Sequence, residues 1–409
     1  MDASNIKSPE DLTAFLDDWP EKNGPGGLSR QQAAAWIAWR SAMRVLPVFW
    51  DPVVRDARLR KRDLTALPIL RALLISGVAA KRLTTDSSAS AHAAAAATLA
   101  TSKALAAARS DASAHAAVAA HAAVHPGNAP VRSAADAVRH TSHAASASAL
   151  DAARFNSAIR SSVSPAADAV VLAASGNLAQ EPLWQNQKNP FETLWADLKN
   201  VLPNGGIDEA APGGVPQDWS FWIKWYDDAL AGREPDWRVL EEIALVNAAI
   251  WDAGPEVVAE RIHAIEEKHR LRSALVALES QLEEARAGHD QFIARGHNQP
   301  PEMIADDIAL GRDIEELGAA TREAIEALDE AKPSPGRLER AGRALIAAAE
   351  AILRYCAHKA DLMVSEASKE LGKGVGKWAV PAAIAIAGSA TPLGQELIQF
   401  AREVLPNLK

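Results

Sequence analysis

A chain of 409 residues is long enough for about two to four domains, and its formal net charge of −9 argues against broad electrostatic attachment to nucleic acid or anionic lipid. The single cysteine, Cys356, excludes an intramolecular disulfide and a zinc site built from several cysteines, which favours a reducing compartment. The abundance of alanine and the absence of alternating β-branched segments predict an all-α fold.

The segment 1–83 predicts a small N-terminal helical bundle. Its polar and acidic start lacks the basic and apolar parts of a secretory signal, so we expect the mature protein to begin near Met1 and to be cytoplasmic. Ser8 and Ser29 are each placed to cap a helix, and apolar residues follow both of them at helical spacing. A third helix is predicted from Asp63 to Arg82.

A basic run precedes this third helix and consists of Arg55, Arg58, Arg60, Lys61 and Arg62. Such a run could contact phosphates or lipid headgroups. Aspartates on both sides dilute its charge, which favours a solvated linker between helices. Nucleic-acid binding is therefore the third-ranked function for this chain.

The segment 84–174 is dominated by alanine, serine and histidine, and two interpretations remain open. One is a hairpin of closely packed small-residue helices on either side of the Pro126–Pro130 break. The other is a poorly ordered insert, because alanine buries little apolar area. The pairs His121/His125 and His140/His143 have the spacing of two metal ligands, but further ligands are scarce, so we predict no metal.

The region 175–217, rich in proline, glycine and asparagine, is predicted to be a linker with one short helix near 191–198. The segment 218–371 then predicts a tryptophan-rich helix, a helix from about Trp237 to Trp251, and three long helices. The apolar residues of the long helices recur at near-heptad spacing. This pattern predicts long antiparallel helices in a coiled-coil-like hairpin.

The tryptophan-rich helix carries a candidate partner- or ligand-binding face made of Trp219, Trp222, Trp225 and Tyr226. Large aromatic side chains are typical of binding hot spots. Aromatic residues on several faces of one helix are also typical of a core between neighbouring helices. Both interpretations stay open at the level of the sequence.

Two short motifs resemble those of an uncharacterised family of alanine- and tryptophan-rich helical proteins from alphaproteobacteria. The first is Trp-x-x-Trp-Tyr at 222–226, and the second is Gly-His-Asn-x-Pro-Pro at 296–301. The family has no known activity, so the resemblance implies a helical fold and supplies no catalytic residues. In the second motif His297 lies in a predicted loop, where Gly296 and the prolines are explained by helix termination.

The segment 372–409 begins with glycines at the alternate positions 372, 374 and 376. It continues into an uncharged run from Trp378 to Ala390. Candidate membrane-contacting residues are Trp378, Val380, Ile384 and Ile386. An apolar run of this length is typical of a core helix or of an interfacial segment, since a spanning helix needs about 20 residues. Conditional membrane insertion and burial in a soluble core therefore remain alternatives.

The sequence lacks a Walker A loop, a dinucleotide-binding glycine pattern, a Gly-x-Ser-x-Gly elbow and a His-Glu-x-x-His pair. We therefore expect no enzymatic activity, no catalytic residues and no cofactor. The leading hypothesis is a helical interaction protein with a conditionally membrane-active C-terminal segment, peripheral at or inserted into the inner membrane, as in a toxin-like or defence effector. A homo-oligomeric scaffold or regulatory module is the alternative, with self-association or a protein partner expected in either case.

Overall fold

The structure is a computed structural model. It describes residues 3, 6–55, 66–82, 165–185, 188–202, 204–207, 216–295, 301–330, 332–365 and 379–408. The chain forms two compact units, Met1–Ile262 and His263–Lys409, which we call the N-terminal and C-terminal units. The five segments proposed from composition stay predictions. The alanine-rich segment between 83 and 164, with its histidine pairs, lies outside the described residues.

The described part of the chain is predominantly helical, which confirms the all-α fold class. The N-terminal unit contains α1 (Pro9–Asp17), α2 (Arg30–Arg44), α3 (Leu46–Arg55), α4 (Leu67–Arg82), α5 (Ala166–Ser175), α6 (Glu192–Val201), α7 (Ser220–Ala231), α8 (Trp237–Ala244) and α9 (Ala248–Asp252). The remaining helices are α10 (Pro255–Arg295), α11 (Pro301–Asp329), α12 (Pro335–Ser365) and α13 (Ala379–Gln399). A short π-helical turn, Phe400–Val404, follows α13.

Both predicted N-terminal caps are confirmed. The hydroxyl of Ser8 accepts a hydrogen bond from the Asp11 amide at 3.1 Å, and the Asp11 carboxylate accepts one from the Ser8 amide at 2.9 Å. Ser29 and Gln32 form the same reciprocal pair at the start of α2. Each reciprocal pair, known as a capping box, provides partners for amide groups that the first helical turn leaves without one.

The prediction of one helix from Trp237 to Trp251 is wrong, because the chain forms two. The carbonyl group of the Asn247 side chain accepts a hydrogen bond from the Ala249 amide at 2.9 Å and caps the new helix α9. Asparagine competes with the helical backbone in this way and therefore favours a helix start over a helix interior. The apolar spacing alone conceals this break.

A short antiparallel hairpin was not anticipated from the sequence. Strand β1 (Asn204–Ile207) pairs with β2 (Pro216–Asp218), and the register matches Ile207 with Pro216. The strands are too short and too rich in glycine and proline to show the alternation that marks longer strands. The hairpin lies within the region predicted to be a linker.

In the C-terminal unit the contacts between α10 and α11 have an antiparallel order. Arg272 pairs with Asp329, and Arg286 pairs with Glu315 at 2.9 Å, so higher residue numbers on α10 match lower ones on α11. Leucines 271, 275, 278 and 282 of α10 are buried in the same core as Leu310, Ile314 and Leu317 of α11. Coiled-coil geometry of this pair stays a prediction.

Candidate interaction surface

The last long helix, α13, has one face buried in the C-terminal unit. This face packs against α12 and combines alanines with larger aliphatic side chains: Ala383, Ile386, Ala387, Ala390, Leu393 and Leu397. Alanine and glycine let the two helix axes approach closely. At the point of closest approach, Gly342 of α12 and Gly394 of α13 each face the backbone of the other helix.

The outer face of α13 carries no charge over residues 382–395. Its exposed positions are Ile384, Ala385, Gly388, Ser389, Pro392 and Gln395. The neighbouring helix α12 differs, because its exposed positions include Arg340, Arg343, Glu350 and Arg354. Solvent-facing positions of helices in water are typically charged or polar, so the outer face of α13 is the unusual surface of this unit.

The hydroxyl groups within α13 are satisfied by the helix itself. Ser389 Oγ donates to the Ile386 carbonyl at 2.9 Å, and Thr391 Oγ1 donates to the Ala387 carbonyl at 3.1 Å. Removing water from these hydroxyl groups therefore does not leave their donors without a partner. Helices that lie in an apolar environment use serine and threonine in the same way.

Charged contacts begin only at the C-terminal end of α13. Arg270 Nη2 lies 2.6 Å from Glu396 Oε2, and Arg402 Nη2 lies 3.2 Å from Glu339 Oε2. The hydrogen bond from Arg402 lowers the pKa of the Glu339 carboxyl. Such exposed pairs contribute little stability each, but they connect one end of the helix to its neighbours.

The structure places the four predicted membrane-contacting residues differently. Ile384 is 46% exposed on the outer face, whereas Ile386 is 5% exposed in the core. Two residues along a helix correspond to about 200° of rotation, which accounts for this separation. Trp378 and the side chain of Val380 lie outside the described residues. One uncharged segment thus contributes to both a core face and a surface face.

The predicted aromatic face lies in the core of the N-terminal unit. Trp219, Trp222, Trp225 and Tyr226 are all buried, with Tyr226 completely so. Their rings pack edge-to-face with further aromatic side chains, which include Trp50, Trp195 and Phe221. Burial raises the pKa of the Tyr226 hydroxyl, followed by the effect of the neighbouring Asp227. In this conformation the aromatic face is not open to a partner.

A buried charge cluster in the same unit was not predicted from the sequence. Arg40 Nε donates to Asp168 Oδ1 at 2.8 Å, and Arg44 Nη2 lies 2.8 Å from both oxygens of Asp168. Burial lowers the pKa of Arg44, and the charge of Asp168 opposes that effect. Two arginines four residues apart in a helix rich in alanine and tryptophan were the available signal in the sequence.

The cluster holds the chain before and after the alanine-rich segment together. The Nη atoms of Arg40 donate to the carbonyls of Leu178, Glu181 and Pro182 at 3.1, 2.8 and 2.6 Å. Arg44 Nε donates to the carbonyl of Leu183 at 3.0 Å. These bonds replace the water lost by buried carbonyl groups, so the cluster is explained by architecture and needs no ligand.

In the described ranges, no group of three or more His, Cys, Asp or Glu side chains is arranged to hold a metal ion. The residues 56–65, which contain most of the basic run, lie outside the described part, as does the loop with His297. Among the helices that the structure describes, none has both the length and the apolar character needed to cross a membrane. Comparison with known proteins finds no matching family model, no matching curated protein and no matching solved structure.

Proposed function

We propose that the protein is a non-enzymatic helical interaction protein whose C-terminal helix α13 contacts a lipid surface under restricted conditions. The observation that carries the proposal is the uncharged outer face of α13 over residues 382–395. A helix that only completed a bundle in water would be expected to carry charges there, as α12 does. An uncharged face is instead suited to the boundary between lipid headgroups and acyl chains.

Contact with lipid is conditional in this proposal because α13 is held in two ways. Its buried face packs closely on α12, and its C-terminal end is fixed by Arg270 and Arg402. The outer face can dock on a membrane while these contacts persist. Deeper insertion requires the buried face, with Ile386 and Leu393, to leave the core. Exposing these buried apolar side chains costs free energy, so insertion occurs only when contact with the lipid offsets that cost.

The experiment is vesicle flotation of the full-length chain with a matched pair of double variants. Ile384→Asp with Ser389→Asp places two charges on the outer face of α13. Val276→Asp with Ser280→Asp makes closely similar chemical changes at exposed positions of α10. Because charges are costly at a lipid interface, the α13 variant is expected to lose flotation while the α10 variant retains it.

Vesicles of phosphatidylethanolamine with phosphatidylglycerol are used between about pH 7 and pH 5, where protonation of histidine changes. Circular dichroism of both variants confirms that each keeps its helical content before flotation. Equal flotation of the two variants would contradict the proposal. So would a wild-type protein that floats under none of these conditions.

A homo-oligomeric scaffold is the second candidate, favoured by exposed apolar side chains on other helices of the C-terminal unit. Ile308 of α11 and Val276 of α10 are 53% and 42% exposed. A second copy of the chain could cover them. Sedimentation velocity over a hundredfold range of protein concentration tests this function, and a constant monomeric size would rule it out.

A further inference from the structure

A groove between α10 and α11 has the composition of a binding site for a small amphiphile. It has a volume of about 450 Å³ and is open to solvent on one side. This volume lies within the range of small-molecule sites, roughly 300 to 1,000 Å³. The floor consists of His289 and Ile314, which are both buried.

The groove depends on a glycine in the middle of a helix. A Cβ atom built on Gly311 of α11 would lie 2.7 Å from Cε1 of His289, so any larger residue would displace the imidazole. Glycine in a helix interior costs about 1 kcal/mol relative to alanine. The absence of a side chain at Gly311 lets His289 lie close against α11 in the groove.

The rim of the groove combines charges of both signs with an apolar strip. Arg286 and Glu315 form an ion pair at 2.9 Å, and Arg312 and Asp290 also line the groove. The side chain of Ile308 completes one wall. A purely anionic or purely cationic ligand would meet repulsion from half of this rim, whereas a molecule with both charges and an apolar part complements all of it.

The floor of the groove also supports the start of α13. His289 and Ile314 line a second, closely packed apolar space together with Ile352, Ala383 and Ile386. That space has a volume of about 10 Å³, so it holds no ligand as it stands. A molecule in the groove therefore contacts His289 and Ile314, which also pack against α13. It does not reach α13 itself, because no open channel connects the two spaces.

We infer that this groove binds a zwitterionic phospholipid headgroup together with the first carbons of its chains. Arg312 and His289 face the phosphate, the carboxylate of Asp290 faces the amine, and Ile308 with Ile314 faces the carbons, while Arg286 and Glu315 stay paired with each other at the rim. The inference deepens the proposed function by naming the lipid, and it rests on that function for the presence of a bilayer. The binding step itself needs only a monomeric lipid.

The test is isothermal titration of the full-length protein with a short-chain phosphatidylethanolamine below its micelle-forming concentration. Saturable binding of one molecule per chain is expected. Arg312→Glu at the rim should weaken the binding at least about tenfold, since it replaces a phosphate partner with a repelling charge. Arg322→Glu is the matched control, because Arg322 is exposed on the same helix and lies outside the groove lining.

Two further arms identify the ligand and guard against a folding defect. Phosphoethanolamine without chains should bind more weakly than the short-chain lipid, because it cannot cover Ile308 and Ile314. Gly311→Ala should weaken binding while circular dichroism confirms the helical content. Arg312→Lys should restore part of the affinity that Arg312→Glu removes, since lysine keeps the positive charge.

Absence of saturable binding by the wild-type protein would overturn the inference, as would equal affinities of the Arg312→Glu and Arg322→Glu proteins. Tight binding of phosphoethanolamine alone would overturn the assignment to a lipid. Flotation on vesicles without binding of the monomeric lipid would overturn this inference alone. Binding of the monomer without flotation would overturn the proposed function and leave the groove as a ligand site.

Discussion

Gly342 and Gly394 face each other where α12 and α13 pack most closely. A Cβ atom on Gly342 would lie 2.7 Å from the carbonyl oxygen of Gly394, and one on Gly394 would lie 2.8 Å from the carbonyl oxygen of Gly342. Both distances are too short for a real contact, so the helices must separate if either glycine is replaced. The close approach of the two backbones therefore requires glycine at both positions.

Gly394→Ala is expected to destabilise the C-terminal unit by about 1 to 3 kcal/mol, because overpacking outweighs the better helix propensity of alanine. Gly388→Ala is the control on the same helix, since nothing lies within 4 Å of a Cβ atom there. That change should stabilise the unit by up to about 1 kcal/mol. Both stability changes are measured from the rate at which Cys356 is labelled at increasing concentrations of denaturant. Changes of the same sign would contradict the assigned close contact.

Asp168→Asn is expected to destabilise the N-terminal unit by about 3 to 5 kcal/mol, because it leaves two buried arginines without a counter-charge. Asp168 is completely buried, and Arg40 is 2% exposed. Glu234→Gln is the control, since its pair with Lys81 is partly exposed and should contribute about 1 kcal/mol or less.

Tryptophan fluorescence during urea unfolding measures the difference, because every tryptophan except Trp378 belongs to the N-terminal unit. Similar unfolding midpoints for Asp168→Asn and Glu234→Gln would show that the buried cluster is replaceable. The cluster would then not explain how the chain on either side of the alanine-rich segment is held.

The pair of Arg272 and Asp329 is expected to make the C-terminal unit less stable in acid. Arg272 donates to Asp329 at 2.5 and 2.9 Å, and these bonds lower the pKa of the carboxyl below its ordinary value of 3.8. Because the pKa is lower in the folded state, the stabilisation is fully present at pH values above the pKa that the carboxyl has in the unfolded chain. It is lost as the pH falls through the pKa of the folded state.

Because Asp329 is partly exposed, solvent screening keeps this contribution to about 1 kcal/mol or less. Arg272→Ala should therefore lower the unfolding temperature at pH 6 and reduce its dependence on pH below about pH 4. Arg322→Ala on α11 serves as the comparison. An unchanged acid dependence in Arg272→Ala would contradict the role of the pair.

Cys356 is expected to report whether α13 leaves the core. The thiol is buried one helical turn beyond Ile352 in the same apolar core as α13, and burial raises its pKa. Both effects make it slow to react with thiol reagents at neutral pH. If vesicles draw α13 out of the core, labelling of Cys356 should accelerate. Flotation with unchanged labelling would instead indicate docking by the outer face alone.

Local features of the fold could be predicted well from the sequence. The Ser8 and Ser29 caps are encoded by residues that act on their own backbone. The break before α9 was missed because the signal of one asparagine is weaker than a continuous apolar pattern. The β hairpin was missed because its short strands lack the alternation of apolar and polar residues by which strands are predicted.

The surroundings of the candidate site could not be predicted to the same extent. The uncharged run was visible in the sequence, but only packing against α12 assigns Ile386 to the core and Ile384 to the surface. For the aromatic residues of α7 the sequence favoured a core over a partner face without excluding either, and the structure buries them in the core. The groove at His289 joins residues from two helices and has no motif of its own.

The sequence by itself determined the helical class, the capped starts of α1 and α2 and the uncharged character of 379–395, because composition, caps and periodicity act over a few neighbouring residues. Only the tertiary structure decided which face of α13 is covered, where Gly342 meets Gly394, and that Arg40 and Arg44 share Asp168. Those relationships join residues that lie far apart along the chain. They depend on the packing of whole helices, which no local pattern specifies.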